Sequence, residues 1–206
     1  MSTSIKSFFI SFEGIDGCGK STQVKLLMKK LYDQKIKAIL VREPGSSKIA
    51  EDIRSILLDN KNSDMSSQTE ALLMTASRAQ LTREVIIPKL EDGYVIVADR
   101  FQDSTIAYQG GGRGLDVSFL SNLNLFATEK LVPDLTFYLD ITVEEGYRRV
   151  NKKIFDRIEN AGKHFQSRVR SEYLKLVEKE PNRVILVDGN DSVEKIHSII
   201  WNKISN

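Results

Sequence analysis

The sequence predicts an α/β fold in which helices cover both faces of a five-stranded parallel sheet. Two observations predict this fold: five short apolar segments occur along the chain, and segments with helical periodicity separate them. Strands that alternate with helices are joined by right-handed crossovers, which make the strands parallel and place the helices on the faces of the sheet. The 206 residues suffice for one such unit, so we expect a single domain over residues 1–206.

The elements follow from the apolar pattern. Apolar runs bounded by turn residues predict strands, and apolar residues spaced i, i+3, i+4 and i+7 predict helices, as in Val24, Leu27, Met28 and Leu31. The predicted strands are 8–12, 38–41, 94–98, 135–139 and 184–187. The predicted helices are 21–32, 49–58, 69–90, 117–130, 142–153, 164–180 and 191–204.

The composition excludes several classes of protein. The 30 basic and 28 acidic residues give a net charge of +2, which disfavours a dedicated binder of nucleic acid polymers. The single cysteine excludes an internal disulfide and fits a reducing compartment. No segment approaches the roughly 18 apolar residues that a membrane span needs, and the first residues do not have the pattern of a signal peptide. We therefore expect a cytoplasmic protein that does not bind membranes.

A glycine-rich motif carries the strongest functional signal. It is the segment Gly14-Ile15-Asp16-Gly17-Cys18-Gly19-Lys20-Ser21, which matches G-x-x-x-x-G-K-[ST] between a predicted strand and a predicted helix. Glycines let backbone N–H groups surround a phosphate, and the start of the helix adds its positive dipole. We expect Lys20 on the β- and γ-phosphates and the Ser21 hydroxyl on Mg²⁺. The motif predicts a P-loop NTPase fold that binds ATP through residues 14–22, Thr22 included.

A carboxylate at the end of the third strand is the second metal candidate. Asp99 follows the apolar run 94–98, and in such sheets ligands bind beyond the carboxyl ends of the strands. We expect Asp99 to assist Mg²⁺ directly or through water; the alternative is a local ion pair with Arg100 or a helix N-cap. The next residues do not form the D-x-x-G of switch GTPases, and the segment 151–154 lacks the aspartate of N-K-x-D. A GTP-dependent switch is therefore disfavoured.

Further motifs follow in a fixed order along the chain. They are FEGIDG (12–17), REPG (42–45), SRAQL (77–81), DRFQDSTIAYQG (99–110), PDLTFYLD (133–140) and DRIE (156–159). Together they resemble the thymidylate kinase family, in its bacterial type with a basic lid, over nearly the whole chain. The segment 99–110 is the most family-specific of these motifs, and the glycine-rich loop is far less so.

The resemblance implies an ATP-dependent kinase that transfers the γ-phosphate to dTMP, giving dTDP for dTTP synthesis, with Mg²⁺ as cofactor. The acceptor phosphate is mostly dianionic at neutral pH, so its oxygen needs no general base, and catalysis should depend on cations and in-line positioning. The alternatives are another nucleoside monophosphate kinase or a deoxynucleoside kinase, in which Glu43 would be the base. The resemblance also implies a homodimer formed through the helix 69–90.

The resemblance assigns the acceptor-binding residues. Arg42 and Arg100 correspond to the clamp on the acceptor phosphate, and Arg78 to the arginine that binds thymine. Met74 replaces the aromatic residue that stacks on thymine in many relatives. The full set implied for the acceptor is Asp16, Arg42, Glu43, Met74, Arg78, Arg100, Ser104, Thr105, Tyr108 and Gln109.

A basic segment at about 148–160 resembles the lid of the family. In one type of the family an arginine of the phosphate loop supplies the cation for the transition state, and in the other type the lid does. Here the loop has Gly17-Cys18 and no arginine, so the resemblance implies that the lid supplies it. The candidates are Arg149, Lys152, Lys153 and Arg157, of which the arginines are preferred for their planar guanidinium. A solvated charged face is the alternative. Together, the motifs and the resemblance predict five catalytic residues: Asp16, Lys20, Arg100, Arg149 and Arg157. The resemblance also implies that adenine binds at the loop 188–191.

Overall fold

The computed structural model describes residues 7–150 and 155–205, so Lys152 and Lys153 of the predicted lid lie outside the described residues. Its sheet contains the strands β1 (Phe8–Glu13), β2 (Ala38–Arg42), β3 (Val95–Asp99), β4 (Leu135–Asp140) and β5 (Val184–Asp188). The strands are parallel throughout, in the order β2-β3-β1-β4-β5. The predicted α/β fold with a five-stranded parallel sheet is confirmed.

Helices connect the strands. The α-helices are α1 (Lys20–Asp33), α2 (Lys48–Leu58), α3 (Ser67–Leu81), α4 (Ile87–Glu91), α5 (Gln102–Thr105), α6 (Val117–Ala127), α7 (Val143–Arg149), α8 (Gly162–Lys179) and α9 (Val193–Ser205). None of the helices within residues 7–150 and 155–205 has the length and apolar character needed to cross a bilayer.

The predicted helix 69–90 is not uniform. It consists of α3, a π-helical segment at Thr82–Ile86 and α4. The break lies just before Pro88, which has no N–H and whose ring crowds the carbonyl four residues earlier, so the hydrogen bonds shift to a wider spacing. A second π-helical segment, Ile106–Gly112, follows α5. The apolar period of the sequence did not predict either segment.

Apolar side chains on both faces of the sheet hold it between the helices. In β3, Val95 and Val97 pack in one core, whereas Ile96 and Ala98 pack in the other. Successive strand residues point to opposite faces, so this division shows that both faces are covered.

The carboxyl ends of the central strands meet at one edge of the sheet. Phe12 of β1 is in register with Asp99 of β3, and Arg42 of β2 is in register with the same residue. Consequently, the loop after β1 and the residues that follow β2 and β3 lie side by side, as expected for ligand sites in parallel sheets.

Candidate active site

The glycine-rich loop connects β1 to α1 and is closely packed. Gly17 has a φ of 82°, and a Cβ there would lie 2.6 Å from the carbonyl oxygen of Gly146, so a side chain cannot be accommodated. The Lys20 ammonium, which is buried, donates to the carbonyl oxygens of Gly14 (2.8 Å) and Ile15 (3.1 Å). Lys20 therefore folds back across the loop, where its charge lies beside any phosphate that the loop holds.

Arg100 lies against the same loop. Its φ of 72° is in the left-handed region, and its N–H donates to the carbonyl oxygen of Phe12 (3.0 Å). Its guanidinium donates to the Gly14 carbonyl oxygen (2.9 Å) and to the Asp16 carboxylate (2.9 Å). Such a backbone conformation costs about 1–3 kcal/mol and persists where the surroundings fix it, often at functional sites. The turn therefore directs the Arg100 guanidinium towards the phosphate loop.

Glu13 fixes the turn that carries Arg100. This carboxylate is fully buried and accepts hydrogen bonds from the Phe101 N–H (2.7 Å), the Ser104 hydroxyl (2.6 Å), the Tyr173 hydroxyl (2.7 Å) and the Ser11 hydroxyl (3.0 Å). Burial raises the pKa of Glu13. The predicted strand 8–12 places Glu13 directly after it, but the role of Glu13 depends on contacts with residues about 90 and 160 positions away.

Three guanidinium groups come together: those of Arg42 at the end of β2, Arg54 within α2 and Arg100 just after β3. Arg42 pairs with Glu51 (2.7 Å), and Arg54 donates to the carbonyl oxygen of Pro44 (2.9 Å). Burial lowers the pKa of Arg54, and the positive charges of Arg42 and Arg100 lower it further. The sequence analysis assigned no role to Arg54, because the sequence shows only a basic residue on the helix that follows the REPG motif. A cluster of like charges of this kind suits an anionic ligand.

Arg78 and Glu43 form a buried ion pair beside this cluster. The carboxylate accepts from Nε (2.7 Å) and Nη2 (2.6 Å), and the other donors of Arg78 bind Thr105 (2.8 Å), Asn124 (2.7 Å) and the Phe101 carbonyl oxygen (3.2 Å). All three nitrogens of the guanidinium thus have partners within the protein. Burial raises the pKa of Glu43 to about 7, although Arg78 acts in the opposite direction.

A cleft of about 470 Å³ joins the phosphate loop to the arginine cluster. Of the sequence-predicted site residues it is lined by Asp16, Gly17, Gly19, Lys20, Ser21, Thr22, Arg42, Glu43, Met74, Arg78, Asp99, Arg100, Ser104, Thr105, Tyr108, Gln109 and Arg149. Gly14, Ile15 and Cys18 are buried within the loop itself. The structure thus brings most of the predicted donor and acceptor residues to one cavity.

Comparison with known proteins decides the family. The profile of the family described as thymidylate kinase matches residues 12–200. The chain belongs to the thymidylate kinase family. It is 45% identical over 196 residues to the thymidylate kinase of Thermoanaerobacter sp. (strain X514), with 95% of this chain and 96% of that protein covered. The thymidylate kinases of Kosmotoga olearia and Thermosipho melanesiensis are each 47% identical, over 190 and 192 residues, with 91% and 94% of their lengths covered. The predicted family is confirmed.

Two arginines of this thymidylate kinase family member, predicted to act in the lid, lie in different surroundings. Arg149 lines the cleft and donates to the Gly189 carbonyl oxygen (2.8 Å), in the loop after β5. Arg157 is buried, pairs with Glu70 (2.7 Å) and donates to the Leu57 carbonyl oxygen (2.8 Å). The structure therefore brings Arg149 to the cleft and holds Arg157 in a buried ion pair.

The two predicted Mg²⁺ ligands both line the cleft. Ser21 is the second residue of α1, and Asp99 is the last residue of β3. Within the described part of the chain, no group of three or more His, Cys, Asp or Glu side chains could hold a metal ion. A hydroxyl and one carboxylate nevertheless fit Mg²⁺, which is usually bound by one or two protein oxygens together with water and substrate phosphates.

Proposed function

We propose that this chain transfers the γ-phosphate of ATP to dTMP, giving dTDP for dTTP synthesis. One observation carries the proposal: the guanidinium groups of Arg42, Arg54 and Arg100 converge in the cleft into which the phosphate loop opens. A loop for a nucleoside triphosphate beside a separate cationic cluster suits a reaction between two phosphorylated molecules. Membership of the thymidylate kinase family supports dTMP as the second molecule.

The cations of the cleft supply what this reaction needs. The attacking phosphate oxygen is already anionic, so the barrier lies in bringing two polyanions together and stabilising the charge of the transferring group. Lys20 and Arg100 both bind the Gly14 carbonyl oxygen, and Asp16 lies 4.0 Å from Lys20 and 2.9 Å from Arg100. We assign Asp16 the role of holding both cations at the junction of the two phosphate sites.

Mg²⁺ belongs to the proposal as the companion of ATP. Ser21 and Asp99 would hold it, the latter directly or through water. When bound, the ion would neutralise charge on the β- and γ-phosphates. Lys20 would contact the same phosphates.

The nucleoside of the acceptor would lie against one wall of the cleft, which is formed by Met74, Arg78, Thr105, Tyr108 and Gln109. One oxygen of the neighbouring Glu43, Oε1, is buried without a hydrogen-bond partner among residues 7–150 and 155–205. A hydroxyl of the acceptor sugar would supply one. The other oxygen of this carboxylate is occupied by Arg78, so Glu43 suits binding of the acceptor better than proton removal.

The transition-state cation is assigned to the lid. Arg149 is our candidate because it lines the cleft, and Lys152 and Lys153 stay candidates from the sequence alone. Arg157 is reassigned: its ion pair with Glu70 and its bonds to the end of α2 suit an anchor that fixes the end of the lid segment.

We also propose a homodimer and a cytoplasmic location. Leu72 of α3 and Phe119 and Phe126 of α6 are exposed, although α3 and α6 pack against each other, and apolar exposed side chains on adjacent helices suit a second copy of the chain. The cytoplasmic location rests on the soluble nucleotide substrates. Sedimentation of Phe126→Glu beside the unmodified chain tests the dimer, and a dimer that persists unchanged would argue against this surface.

The decisive assay measures ADP release from ATP and Mg²⁺ with a panel of nucleoside monophosphates and with thymidine. We expect turnover with dTMP and little with thymidine, and the Arg100→Met variant should lose most of it. Arg83→Met is the matched control, because Arg83 is exposed, pairs with Glu129 and does not line the cleft. Turnover with thymidine and none with dTMP would replace the proposal by a deoxynucleoside kinase.

A further inference from the structure

A buried carboxylate lies behind the wall of the cleft. Glu70, in the first turn of α3, is completely buried. Its Oε1 accepts from the Gln109 side-chain amide (3.0 Å) and from Nε of Arg113 (3.0 Å). Its Oε2 accepts from Nη2 of Arg113 (2.9 Å) and from Nη1 of Arg157 (2.7 Å). Glu70 thus connects α3, the π-helical segment 106–112 and the end of the lid segment.

The partners of Glu70 keep it ionised. Burial alone would raise its pKa, but the hydrogen bonds from Arg113 and Gln109 and the charges of Arg113 and Arg157 bring the pKa below its ordinary value. An ionised carboxylate can only accept hydrogen bonds. Gln109 must therefore turn its NH₂ group towards Glu70.

This contact determines what Gln109 presents to the cleft. Gln109 is buried but lines the cleft beside Met74, Thr105 and Tyr108. With its Nε2 on Glu70, the atom of the amide left for a ligand is the oxygen, which is an acceptor. The three guanidinium nitrogens of the neighbouring Arg78 all have protein partners. The hydrogen-bonding character of this wall therefore depends on the orientation of Gln109.

We propose that Glu70 is a positioning residue that sets the choice of pyrimidine by fixing the orientation of the Gln109 amide. The inference rests on the proposed function. Thymine and uracil carry an N–H at ring position 3, which the Gln109 oxygen can accept. Cytosine has a lone pair there, so two acceptors would face each other in a buried site. The site consequently accepts a pyrimidine with an imino N–H and rejects cytosine.

Glu70→Gln tests the proposal through a ratio of specificity constants. The new amide can donate to the Gln109 oxygen, so Gln109 can turn its NH₂ group into the cleft. We expect the kcat/KM ratio of dTMP to dCMP to fall by about tenfold or more, the effect of one unmatched buried hydrogen bond. The ratio of dTMP to dUMP should stay within about twofold of its original value, since both rings carry the imino N–H.

A control and a second variant keep the test decisive. Arg113→Lys removes contacts to Glu70 but leaves the carboxylate, so it should preserve the dTMP to dCMP ratio even if turnover decreases. If Glu70→Gln does not fold, as judged by circular dichroism, Gln109→Met removes the amide and should lower the same ratio. A folded Glu70→Gln that loses activity on dTMP and dCMP equally would overturn the proposal, as would an unchanged ratio in Gln109→Met. No turnover of dTMP by the unmodified chain would instead refute the proposed function.

Discussion

Replacing Glu13 with alanine should damage both the stability and the activity of the protein, because this side chain fixes the turn that carries Arg100. The Phe101 N–H would lose its buried acceptor, which costs about 1–3 kcal/mol. The one methylene group removed from the core would add about 0.8 kcal/mol. We therefore expect the free energy of unfolding to decrease by about 2–4 kcal/mol, less what is recovered by no longer burying a carboxylate.

The effect on activity follows from the backbone of Arg100. A left-handed conformation at a residue with a side chain costs about 1–2 kcal/mol, so the turn should relax once its tethers to Glu13 are gone. A displacement of about 1 Å in a positioning group can lower a rate by about 100-fold. We expect a loss of this size in kcat with ATP and dTMP.

Two further variants test whether the hydrogen bonds of Glu13 or its negative charge hold the turn of Arg100. Glu13→Gln keeps an acceptor for the Phe101 N–H, and its NH₂ group can donate to the hydroxyls of Ser104 and Tyr173, so its kcat should stay within about threefold of the original. Ser11→Ala removes a bond to Glu13 on the strand side and should leave kcat unchanged. Urea unfolding and steady-state kinetics measure both quantities. Normal kcat in a folded Glu13→Ala, or equal losses in the alanine and glutamine variants, would refute the reasoning.

Three further substitutions test single side chains of the cleft. Arg54→Met should raise the KM for dTMP about tenfold and leave the KM for ATP unchanged, because one phosphate contact is lost; equal rises in both constants would contradict the assignment. Lys20→Ala should lower kcat about 100-fold without changing the urea midpoint, and near-normal turnover would exclude its role at the phosphates. Burial raises the pKa of Glu43 from 4.5 to about 7. The protonated side chain therefore contributes up to about 3 kcal/mol to the free energy of unfolding; this contribution is fully present below pH 4.5 and is lost as the pH rises through 7. Glu43→Gln lacks this titration, so the difference between the unfolding free energies of the two proteins should change between pH 5 and 8; parallel profiles would contradict the prediction.

The fold could be predicted from the sequence because its signals are local. Each predicted strand agrees with the structure to within one residue or two at its ends, since buried parallel strands are short apolar runs. Asp99 was placed near the phosphate loop by the rule that carboxyl ends of parallel strands share an edge, and the family resemblance assigned Arg100 to the acceptor phosphate. Both lie there.

The features of the fold and the site that the sequence did not predict depend on contacts between residues far apart in the chain. A basic residue such as Arg157 looks the same in sequence whether it faces a phosphate or a buried carboxylate, and the partner, Glu70, lies 87 positions earlier. Arg54 was missed for the same reason, since its importance comes from the nearness of Arg42 and Arg100. The π-helical segments depend on local crowding that apolar periodicity does not report.

The close approach of Gly17 and Gly146 has a mechanical consequence. A Cβ at position 146 would lie 2.8 Å from the Asp16 carbonyl oxygen, just as one at position 17 would collide with the backbone of position 146. The main chain of α7 thus rests directly on the loop that binds ATP, with no compressible side chain between them. Because two backbones already in contact cannot approach further, any movement of that loop towards α7 would displace the start of α7 as well.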